Sequence, residues 1–81
     1  MRVIATIPHP HIQISIFHMN SKYIIKLEAG PMEQAFKVSE EEIRGLENIQ
    51  KILDEEFIKK ALARFNEMFL SFKETKERHG I

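Results

Sequence analysis

The chain has 81 residues, with 12 Lys plus Arg against 12 Asp plus Glu, 43% apolar and 30% charged residues, and no cysteine. That length is one small domain, and the proportions argue against a disordered tail or a membrane span. Zero net charge removes the usual basis for binding phosphate backbones or anionic membranes, and the lack of cysteine excludes disulfides, thiolate metal sites and cysteine nucleophiles.

Residues 1–38 are rich in β-branched side chains with period-two alternation, which predicts strands over 2–7, 11–18, 23–29 and 33–38. The connections Pro8-His9-Pro10, Asn20-Ser21 and Gly30-Pro31 all carry turn chemistry. A tight turn at Asn20-Ser21 sets Ile16 opposite Ile25 and Ile14 opposite Leu27. A turn at Gly30-Pro31 sets Phe36 opposite Ile25 and Val38 opposite Tyr23. A turn around Pro8–His11 sets Val3 opposite Ile16, Ala5 opposite Ile14 and Ile7 opposite Ile12. All three turns put the apolar set on one side, and a slip of one residue would reverse it. The other face is mostly polar. Its exception is a cluster of Phe17 and Ile24, paired across the strands, with Ile4 nearby opposite Ser15. Such a cluster either shields a wet face or serves as a contact patch.

Ser39 and Glu42 form a capping box, and Glu40, Glu41 and Glu42 suit the positive start of a helix. Gly45 weakens any long helix there. The reading is a short helix over 40–44, a second over 46–53, and a long one over 54–77, with the boundary near Asp54 open because the last two could form one bent rod. In the long segment Phe57, Ile58, Ala61, Leu62, Phe65, Met68, Phe69 and Phe72 recur at helical spacing, a wide apolar stripe suited to roofing the sheet. The expected fold is α+β: one domain with a four-stranded antiparallel meander (1–38), short helical segments (39–53) and a long C-terminal helix (54–77) packed on one sheet face.

A helix of about 24 residues is ~36 Å long, whereas strands of this size reach only ~20–23 Å. Even on the diagonal the helix overhangs by about 10 Å, or some seven residues. That end carries Phe69, Leu70 and Phe72, with Leu70 off the main stripe. The expectation is a homodimer in which the helices, with or without a sheet edge, pair about a twofold axis. The candidate interface residues are Phe69, Leu70 and Phe72 on the helix, and Ile4, Phe17 and Ile24 on the sheet; either patch also suits a different protein partner.

Sequence chemistry beyond this is sparse. His9 and His11 flank Pro10 and point the same way in an extended segment, but two imidazoles make an incomplete metal site, and His18 lies too far along its strand to join them. No serine sits in a nucleophile elbow, and there is no phosphate-binding glycine loop. No catalytic, cofactor-binding or metal residues are assigned, and the reading is non-catalytic. The alternative is weak single-stranded nucleic-acid binding on the outer sheet face, where Phe17 stands with Arg2, Lys26 and Lys37; Glu28 and Glu33 on that face count against it. No signal-peptide pattern or membrane span is seen, so a cytoplasmic location is expected.

The segments Ile7-Pro8-His9-Pro10, Met19-Asn20, Lys22-Tyr23-Ile24, Leu27-Glu28-Ala29-Gly30 and Glu33-Gln34 resemble those of small uncharacterised bacterial proteins of similar length. The resemblance implies a small bacterial cytosolic protein and carries no activity or site residue with it.

Overall fold

A computed structural model describes residues 2–81. Four strands, β1 (Arg2–Ile7), β2 (Gln13–Met19), β3 (Lys22–Ala29) and β4 (Met32–Ser39), form one antiparallel sheet in the order β1-β2-β3-β4. Helices α1 (Leu46–Ile52) and α2 (Glu55–Arg78) follow. The meander with a long C-terminal helix on one face is the expected α+β architecture.

Two turns set the registers of β2, β3 and β4 as expected. Asn20 and Ser21 both have positive φ, 49° and 60°, the signature of a two-residue hairpin whose twist matches that of its strands. Ile16 faces Ile25 and Ile14 faces Leu27. Gly30, at φ 57°, opens the next turn, and Phe36 faces Ile25. Ile14, Ile16, Ile25 and Leu27 are among the most deeply buried side chains, so the odd-even sorting holds through the centre of the sheet.

The β1–β2 register departs from expectation. Ile7 faces Ile14 and Ala5 faces Ile16, each displaced by two residues from the predicted pairing. Pro8 and Pro10 lack N–H groups and have fixed φ, so the chain makes a wide loop there and β2 begins at Gln13 instead of residue 11. A displacement of two keeps Ala5 and Ile7 on the inner face. Between Val3 and Ala5 a bulge then shifts the ladder, so Val3 comes opposite Phe17.

The helical half shows a second correction. Residues 40–44 are not a helix. Ser39 Oγ accepts from Glu42 N–H at 3.1 Å, and Ile43 N–H donates to the Ser39 carbonyl at 3.1 Å, which completes one turn. Gly45 then takes φ 84° and ends it. α1 and α2 are separate helices because Leu53 and the extended Asp54 (φ −83°, ψ 177°) break the rod. Ile49 of α1 and Ile58, Ala61 and Phe65 of α2 complete the core over the sheet's inner face. The molecule measures 46 × 26 × 19 Å, and its radius of gyration is 14.7 Å. A compact chain of this length would have a radius of about 12 Å. The excess reflects the projecting end of α2.

Candidate functional site

The long helix starts firmly. Asp54 Oδ1 accepts from Phe57 N–H at 2.8 Å, and Glu55 and Glu56 occupy the first turn, where the helix dipole favours negative charge. Over the sheet it packs chiefly on β4. Phe57 meets Phe36 edge-on at 5.4 Å between ring centres. Gln34 donates to the Ala61 carbonyl at 3.0 Å and accepts from Arg64 Nε at 2.9 Å. These contacts run from mid-strand toward the β3–β4 turn, so α2 leaves the sheet past Pro31 and Met32.

Beyond Phe65 no residue of α2 is buried. Met68 still packs against the core, and residues 69–78 beyond it span about 15 Å at the helical rise, somewhat more than the expected overhang. Phe69 and Phe72 follow Phe65 at spacings of four and seven and so continue the core stripe, yet they are 51% and 52% exposed. Leu70, off the stripe, is 47% exposed. Two shallow apolar grooves lie where the helix leaves the sheet. One, of about 510 Å³, runs between Met32, Phe65 and Phe69. The other, of about 460 Å³, is bounded by Pro31, Met68 and Phe72. Lys76 Nζ stands 5.0 Å from the Phe72 ring centre, the one cation placed over this aromatic pair among the described residues. The structure thus brings Phe69 and Phe72 together on one projecting face and sets Leu70 beside it.

On the outer sheet face, Phe17 and Ile24 pair across β2 and β3 as expected. Ile4 is not opposite Ser15, which faces Thr6 instead. The bulge takes Ile4 out of the expected pairing, and it is half-buried against the core. Val3, 52% exposed, stands opposite Phe17 in its place. Lys26 Nζ lies 5.8 Å from the Phe17 ring centre and 3.6 Å from Glu33 Oε2. The basic group nearest the aromatic is therefore already paired with a carboxylate.

A third feature is a cleft of about 420 Å³ between the proline loop and the first turns of α2, with Ile7, Ile14, Ile58 and Leu62 as its apolar lining and His9 and Lys59 among its polar groups. Sequence reasoning did not find it, because it needs the helix placed over the loop. His9 Nδ1 accepts from the His11 backbone N–H at 3.1 Å, and the two imidazoles lie 5.8 Å apart. No group of three or more potential metal ligands occurs among the described residues. His18 is tied elsewhere: its Nε2 pairs with Glu40 Oε1, and its ring lies 5.2 Å from that of Tyr23. This stitch fastens the end of β2 to the turn after β4, and no local sequence signal announces it because the partners are 22 residues apart.

Compared with protein-family models, curated proteins and solved structures, the chain matches none. The functional reading therefore rests on the geometry above. No helix among the described residues is long and apolar enough to cross a membrane.

Proposed function

We propose that this protein is a small non-catalytic module that assembles with a second copy of itself through the distal half of α2. The observation that carries this reading is the continuation of the core stripe past the sheet, with Phe69 and Phe72 half exposed on about three turns of projecting helix. A half-exposed phenylalanine shows about 100 Å² to water. With Leu70 and the walls of the flanking grooves, the patch approaches the size of the largest apolar patch on a typical monomer, about 300–600 Å², which often has a binding role. The occupant is a second copy for two reasons. Balanced charge, 12 against 12, offers no repulsion between copies. A twofold pair also covers the patches of both copies at once, each against apolar surface of the other. The nucleic-acid reading of the sheet face has less to stand on, because Glu33 holds Lys26 beside the only aromatic there among the described residues.

The test is native mass by light scattering at tens of micromolar. The wild-type chain is expected to be dimeric. Phe69→Ser/Phe72→Ser is expected to be monomeric with an unchanged far-ultraviolet circular dichroism spectrum. A monomeric wild-type chain under these conditions overturns the reading.

A further inference from the structure

The sheet has two free edges, and they differ. β1 carries the bulge between Val3 and Ala5 and runs into Pro8, two devices that spoil an edge for pairing. β4 has no bulge, and its flanking Pro31 is taken up in the hairpin turn: all eight residues from Met32 to Ser39 pair without a break with β3. The Gly30–Pro31 hairpin makes Ala29 and Met32 a hydrogen-bonded pair, and such pairs then alternate along the ladder. Met32, Gln34, Phe36 and Val38 therefore spend their backbone groups on β3. The N–H and C=O groups of Glu33, Ala35 and Lys37 point out of the free edge, and all three residues are exposed.

Outer-face side chains along that edge read Glu33, Ala35, Lys37. We infer that β4 pairs antiparallel with β4 of a second copy about a twofold axis at Ala35, joining two four-stranded sheets into one of eight strands. In that register Ala35 faces the partner's Ala35; Glu33, which also lies 3.6 Å from Lys26 of its own chain, faces the partner's Lys37; and Lys37 faces the partner's Glu33. Every outward backbone group of the three residues then meets its complement, giving six hydrogen bonds by the antiparallel rule. Charge selects this register. A shift that centres the axis on Glu33 or on Lys37 sets like charges opposite each other, which disfavours pairing. Small Ala35 at the axis lets the two strands approach without a side-chain clash.

The inner face agrees. The same register sets Met32 opposite the partner's Val38 and Gln34 opposite the partner's Phe36. The partner's apolar surface thus arrives at the end of β4 where Phe69 and Phe72 leave the sheet, so this edge deepens the self-assembly reading and rests on it.

Two sets of variants test the edge, each read as a dissociation constant by sedimentation equilibrium. Ala35→Pro removes an N–H that β3 does not use, so the protomer is expected to fold, since proline is tolerated where an edge N–H faces solvent. Its dimer is expected to weaken by about tenfold or more. Lys37→Glu sets carboxylates opposite each other and is expected to weaken the dimer by about threefold to tenfold, and Glu33→Lys/Lys37→Glu is expected to restore it to within about threefold. If Ala35→Pro fails to fold, the charge pair decides. Unchanged dimer affinity in Ala35→Pro or in Lys37→Glu overturns the inference, as does a charge swap that fails to restore pairing. Loss of the dimer in Phe69→Ser/Phe72→Ser with full affinity in Ala35→Pro would sink the edge and leave the helix reading intact. The reverse pattern would do the opposite. A monomeric wild-type chain overturns both.

Discussion

Ile58, Ala61 and Phe65, in the first half of α2, are at most 8% exposed, whereas Phe69 and Phe72, on the same stripe in the second half, are more than 50% exposed. The residue types and the spacing are alike. What differs is the surface beneath them: Gln34 and Phe36 support the first half, and the strand ends at Met32, where the second half begins to project. An amphipathic pattern states which side of a helix is apolar. It does not state how much of that side the same chain can cover.

Substitutions in the two halves of the helix can break this comparison or sharpen it. The largest effect is expected at Phe65. Phe65→Ala should cost about 3–5 kcal/mol in urea unfolding, because it opens a cavity under the helix, while Phe72→Ala, measured at concentrations where the chain is monomeric, should cost under about 0.5 kcal/mol. Equal costs would mean that the distal half is packed in the protomer. An intermediate effect is expected at the start of the helix. Asp54→Ala removes the bond to the Phe57 N–H and should lower stability by about 1 kcal/mol, since the first turn carries Phe57 and Ile58 onto the core. The smallest effects compare exposed sites within the two halves. Ala63→Gly should cost roughly 0.5–1 kcal/mol of global stability. Ser71→Gly should cost well under about 0.5 kcal/mol and instead speed amide exchange in residues 68–78 of the monomer, because turns without buried contacts open locally.

The two sheet edges make a parallel comparison. β1 is disrupted by a bulge and β4 is regular, though both are edge strands in one small sheet. Much of this was legible beforehand. The Asn20-Ser21 and Gly30-Pro31 turns contain residues that accept positive φ at known positions, so strand pairing follows by counting. Pro8-His9-Pro10 signals a turn but not its length, and there counting gave pairs displaced by two residues. The bulge left no mark at all, because it depends on how Val3 and Ile4 meet a neighbouring strand. Of the candidate interface residues, Phe69, Leu70 and Phe72 stand exposed, Phe17 and Ile24 pair as expected, and Ile4 is lost to the bulge. The His18–Glu40 stitch and the cleft beside His9 were invisible for the same reason, since each joins segments distant along the chain.

Local chemistry on its own thus determined the four strands, the faces of β2, β3 and β4, the long C-terminal helix and the apolar character of its far end. These depend on side-chain alternation and turn residues, which act over a few positions. Tertiary structure alone decided where β1 sits against β2, that residues 40–44 make a single turn, that Ile49 of a seven-residue helix belongs to the core, and where along α2 the sheet gives out. Each of these is settled by steric fit between elements that sequence order does not bring together.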